Sequence, residues 1–201
     1  MIFYFSLPVL FFVFLIQITN PSFLKKQLRR LFIFIVSFLF LFQSYSALVF
    51  FLTLKNNKFT KLFLPPYTDY GYFIQHSFFR FFAPFIISLL FALLAIIFIR
   101  KLNHRFKGRF FYREEEYLAG LSLFLSGYPI VIFSILFVFI SNLLTSLFFQ
   151  LLILNKKLST RLPSRVSFYY LWVPATLFAI IISSWLRTET FWKIIQLNSY
   201  L

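Results

Sequence analysis

Tyr112-Arg113-Glu114-Glu115-Glu116-Tyr117, then Leu118-Ala119-Gly120-Leu121-Ser122-Leu123-Phe124-Leu125, then Ser126-Gly127-Tyr128-Pro129: on this stretch the fold turns. The chain has five acids in 201 residues, and three of them stand together here, where a basic segment meets an apolar one. From Tyr117 to Leu154 no residue carries a formal charge. As one helix that run would extend about 57 Å at 1.5 Å per residue, nearly twice the hydrocarbon core of a bilayer. It must break, and Ser126-Gly127-Tyr128-Pro129 is the place. Glycine permits an unusual backbone angle there, and proline has no N–H with which to continue a helix. A short segment over 114–127 and a full span over 130–154 follow.

Composition extends the same reading to the whole chain. Apolar residues make up 61% and charged residues 12%, against roughly 25% charged in a soluble domain. The expectation is an all-α, polytopic integral membrane protein with about six hydrophobic segments: 2–19, 31–54, 81–99, 114–127, 130–154 and 166–186. Residues 1–201 read as a single transmembrane domain, because no polar stretch is long enough to build a soluble one. The first run lacks a basic leader and is followed by Asn20-Pro21-Ser22, so it reads as a retained span. Pro84 falls in a first turn. Pro174 falls inside the sixth span and predicts a kink. Residues 187–201, with Phe191, Trp192, Ile194 and Ile195, read as a short interfacial tail.

The charge of +15 would suggest nucleic acid in a soluble protein. In a membrane protein it sets topology and touches anionic lipid head groups, so the expected partners are the lipid bilayer and those head groups, with no nucleic acid. With six segments, the regions 20–30, 100–116 and 155–165 share one side, and the Lys/Arg division is 14 against 6. An unbroken 117–154 span would give 12 against 8. The stronger asymmetry puts both termini outside and Glu114–Glu116 at the cytoplasmic face, in a bacterial inner membrane or an organelle inner membrane.

Several chemistries are excluded. The absence of Cys removes disulfides, thiolate catalysis and Cys-ligated metals. His76 and His104 lie in different loops, so no metal or cofactor is expected. The spans hold no ionisable group of the kind that transport requires. Asp69, in Tyr-Thr-Asp-Tyr-Gly, reads as a turn residue. Gln43, Ser44 and Ser46 are expected to face other helices. Tyr169, Tyr170 and Trp172 read as an interfacial aromatic belt. Two readings stay open for Glu114–Glu116. As first-turn acids they complement the helix dipole, worth about 0.3–1 kcal/mol each, and pair with the basic loops. Alternatively, they are the remnant of a catalytic site.

From the acidic cluster to the sixth span, the chain resembles the catalytic half of the type IV prepilin peptidases, membrane aspartic peptidases with a Gly-x-Gly-Asp motif. The resemblance is carried by Glu114-Glu115-Glu116-Tyr117-Leu118-Ala119-Gly120-Leu121, by Leu123-Phe124-Leu125-Ser126-Gly127-Tyr128-Pro129, by the Lys156-Lys157 loop, and by Leu162-Pro163 through Tyr169, Tyr170 and Pro174. It places Glu115 at the motif Asp. The family's first catalytic Asp, at the end of the first span, has no counterpart here, and Gln17 and Asn20 are the nearest polar groups. Any surviving activity would use Glu115 as acid or base, with Glu114 or Glu116 as its partner and Gln17 or Asn20 orienting water. Tyr112 and Glu114 stand where the motif has glycines, and Gln or Asn cannot titrate as an aspartic peptidase requires. The resemblance therefore implies a divergent, non-catalytic member of the group. The alternative is a small structural or assembly subunit whose Phe-rich spans pack against other membrane subunits.

Overall fold

The computed structural model describes residues 2–57, 60–64, 67, 69–106, 111–112, 114–154 and 168–186. The expected basic loop 155–165 and interfacial tail 187–201 lie outside them. Every regular element among the described residues is helical. In chain order they are α1 (Ile2–Thr19), α2 (Pro21–Asn56), a 3-10 turn (Thr60–Phe63), α3 (Gly71–Ser77), a π-helical turn (Phe78–Phe82), α4 (Ala83–Arg105), α5 (Glu115–Ser126), α6 (Ile130–Leu154), a 3-10 turn (Phe168–Tyr170) and α7 (Trp172–Leu186). Three stretches are long and apolar enough to cross a membrane: Pro21–Asn56, Phe73–Arg105 and Ile130–Leu151. Phe5–Thr19 and Phe168–Ser183 are shorter apolar helices.

The break over residues 126–129 is where the charge-free run requires it. Gly127 ends α5 with φ 71°, a conformation that side chains with a Cβ rarely adopt. The Tyr128–Pro129 peptide is cis, and α6 starts at Ile130.

Three boundaries differ from expectation for local reasons. The expected loop over 20–30 shrinks to Asn20, and α2 absorbs the basic cluster into its first turns. Asn20 caps the helix by accepting from the Phe23 N–H at 3.2 Å and from the Ser22 hydroxyl at 3.0 Å. Pro21 suits a first helical position, and Lys, Gln and Arg are good helix formers. The third span begins well before residue 81, because α3 and the π-helical turn run directly into α4. The helix of the sixth span starts at Trp172, not at 166, so Pro174 lies in its first turn. No helical hydrogen bond is lost there and no kink is required.

The centre of the bundle is α5, the shortest of the apolar helices. Eleven of its twelve residues are buried, and α1, α2, α4, α6 and α7 all pack against it. Small residues let α4 approach: a Cβ on Gly120 would meet Ile96 Cδ1 at 2.6 Å. Phe124 is an aromatic hub, its ring 5.4 Å from that of Phe85 on α4 and 6.2 Å from that of Phe32 on α2. Other Phe side chains, among them Phe11, Phe12 and Phe34, are exposed on the outer surface. Gln43 is buried. Ser44 and Ser46, expected to bond across to other helices, instead bond back to Phe40 and Phe42 carbonyls of their own helix.

Candidate functional site

The end of α1, the start of α2, the end of α4, the start of α5 and the turn before α7 converge at one end of the bundle. Gln17, Lys25, Arg100, Glu114–Glu116 and Tyr169 meet there. The opposite end carries α3, whose Phe73 packs on Phe50 and Phe51 near the end of α2. Asp69, just ahead of α3, belongs to that far end.

The three acids have three different surroundings. Glu115 is fully buried, and its Oε1 accepts the Tyr169 backbone N–H at 3.0 Å. Gln17, also buried, donates from Nε2 to the Tyr169 carbonyl at 2.5 Å. One peptide residue therefore links two side chains from α1 and α5, across sequence separations of 152 and 54. The chemical sense is plain. A 3-10 turn leading into α7 leaves backbone groups without helical partners, and a buried amide needs one. Glu115 and Gln17 supply one acceptor and one donor.

Glu116 faces α4. Its Oε2 accepts from Arg100 Nε at 3.0 Å, and Arg100 also donates to the Tyr117 hydroxyl at 3.3 Å. The Glu116 side chain is 8% exposed and that of Arg100 is 56% exposed, so solvent screens half of the pair. Arg100→Ala is expected to cost about 1 kcal/mol, seen as a small fall in the unfolding midpoint of the detergent-solubilised protein. Arg100→Lys should recover part of it, since a lysine keeps the charge but not the Nε geometry.

Glu114 sits at the N-cap position of α5 without a side-chain capping bond. It lines a cleft of about 250 Å³ together with Lys25, Leu28, Arg29 and Tyr117. Lys25 Nζ lies 5.8 Å from the Tyr112 ring centre and 5.4 Å from that of Tyr169.

Of the residues singled out from sequence, Gln17 and Glu115 are thus brought together, while Glu116 is engaged by Arg100. Asn20 caps α2. Three participants were not expected at the site. Tyr169 contributes through its backbone, which no side-chain motif reveals. Lys25 and Arg29 read from sequence as charges that set topology and touch lipid head groups. The aromatic belt expected at 169–172 divides: Tyr169 and Trp172 are buried and only Tyr170 is exposed. Comparison with family models, curated proteins and solved structures finds no match to this chain.

Proposed function

We propose that this chain is a divergent, non-catalytic relative of the prepilin peptidases, an integral membrane protein whose acidic cluster holds helices together. The observation that carries the reading is the Gln17–Tyr169–Glu115 connection. The resemblance pairs the end of the first span with the start of the short helix, and these two positions share one backbone residue here. Only one of them, Glu115, is a carboxylate, so the pair that the chemistry needs is incomplete. An aspartic peptidase requires one carboxylate as base and one as acid around a single water. Gln17 cannot titrate, and Glu116 is held by Arg100. We place the basic end at the cytoplasmic face of a bacterial inner membrane, on the Lys/Arg asymmetry.

The test is a cleavage assay of the purified protein in detergent with a prepilin-type substrate. Wild type and Glu115→Ala are expected to give the same background rate. Cleavage by wild type that disappears in Glu115→Gln would refute the non-catalytic reading.

A second reading, a structural or assembly subunit of a larger membrane complex, is favoured by α6. Val138 is buried, and none of the side chains of residues 139–151 is. Leu143, Leu144, Leu147, Phe148 and Leu151 are exposed over that length. Stable co-purification of other membrane subunits, lost on polar substitution of Leu144 and Leu151, would support this reading over a solitary chain in lipid.

A further inference from the structure

We propose that the cleft between α2 and α5 binds the phosphoethanolamine headgroup of a membrane lipid. The cleft has a cationic wall and an anionic one. Lys25 and Arg29 lie four residues apart on α2 and therefore on one face of that helix. Glu114 stands at the start of α5 and lines the same space, with Tyr117 beside it and Leu28 contributing the apolar part of the lining. Among the described residues, Arg100 and Glu116 form an ion pair at this end of the bundle. Lys25 and Arg29 form none with Glu114 within 4.0 Å, although all three border a volume of about 250 Å³. Glu114 is also not used as a helix cap. Opposite charges facing one cavity without closing on each other suit a ligand that carries both signs.

Phosphoethanolamine has that chemistry. Its phosphate accepts charge-assisted bonds from Lys25 and Arg29, and its ammonium donates to Glu114. A phosphocholine headgroup has no N–H to donate to Glu114. Its usual attraction, an aromatic face, is already taken, because Lys25 lies over both Tyr112 and Tyr169. A phosphoglycerol headgroup offers Glu114 hydroxyl donors but no cation, so it lacks the charge-assisted bond. The position suits a lipid: the cleft lies where α2 and α4, the long apolar helices, reach their charged ends, the level at which headgroups begin.

The experiment uses the full chain in mixed micelles with equal amounts of phosphatidylethanolamine, phosphatidylglycerol and phosphatidylcholine. Retained lipid is read by native mass spectrometry. Wild type is expected to retain phosphatidylethanolamine about tenfold over either competitor, the equivalent of one charge-assisted hydrogen bond. Glu114→Gln should abolish that preference and leave phosphatidylglycerol retention unchanged. Lys25→Gln with Arg29→Gln should lose both lipids. Equal retention of the three lipids, strongest retention of phosphatidylglycerol, or an unchanged preference in Glu114→Gln overturns the proposal. The wild-type ranking decides by itself if a variant does not fold.

Discussion

Glu115→Ala is expected to destabilise the folded bundle by about 3 kcal/mol, whereas Glu115→Gln should retain most of the stability. Two effects add in the alanine variant. The Tyr169 N–H, in a residue that is 2% exposed, loses its acceptor in a site that water does not reach. Leaving such a donor unsatisfied costs about 1–3 kcal/mol. The missing carboxyl and γ-methylene also open a cavity at a position with no solvent exposure, and packed surroundings collapse only partly into such a space. Glutamine fills nearly the same volume and keeps an oxygen that can accept the Tyr169 N–H. The measurement is the unfolding midpoint in detergent for the three proteins. If alanine and wild type unfold together, Glu115 does not hold α7 to α5. The glutamine variant also separates structure from catalysis, because a working acid or base would lose its role on becoming an amide.

Gly120→Leu is expected to prevent stable association of α4 with α5, and Gly120→Ala to cost about 2 kcal/mol. A Cβ at residue 120 meets Ile96 Cδ1 at 2.6 Å and Cγ1 at 2.8 Å, with the Ala92 carbonyl oxygen at 3.4 Å. The Ile96 terminus can rotate away from a single methyl group, at the expense of its own packing. It cannot clear an isobutyl group. Close approach of helix backbones at small residues is what holds apolar helices together where lipid tails compete equally for side chains. The diagnostic is the double variant: Gly120→Ala with Ile96→Ala should cost less than the two single changes added together, because the second makes room for the first. Strict additivity in unfolding midpoints would mean that the contact does not control packing here.

Much of the fold is legible in the chain because membrane insertion leaves a coarse signal. Apolar runs of helical length and the clustered Lys and Arg identify helices and their ends without knowledge of tertiary contacts. The Ser126–Pro129 break is legible for a similar reason: a charge-free run too long for one crossing contains one Gly-Tyr-Pro. Boundaries were less legible where polar residues extend a helix beyond its apolar part. Lys25, Lys26, Arg29 and Arg30 look like a loop by hydropathy, yet their helix propensity and the Asn20-Pro21 start place them in α2. Hydropathy reports environment, while hydrogen bonding determines the end of a helix.

The candidate site divides in the same way. Glu115 and Gln17 stand out in sequence as rare polar groups at segment ends. Pairing of the acids with the basic stretch before them was legible, but not that Arg100 is the partner of Glu116. The sequence does not contain the reason that Glu115 is buried while Glu114 faces a cleft, although both stand in one acidic run. Successive residues of a helix point about 100° apart, so one acid of the run faces α7, the next faces α4, and Glu114 faces Lys25 and Arg29. Nor does it contain the use of Tyr169 through its backbone, since every residue but proline offers the same N–H. By itself the sequence determined an all-helical membrane chain, its broken charge-free run and the end at which its charges gather, because these depend on composition and local propensity. Only the tertiary structure decided that the short helix α5 is the central one and that the three acids have three separate surroundings, because those outcomes depend on which helices pack around α5.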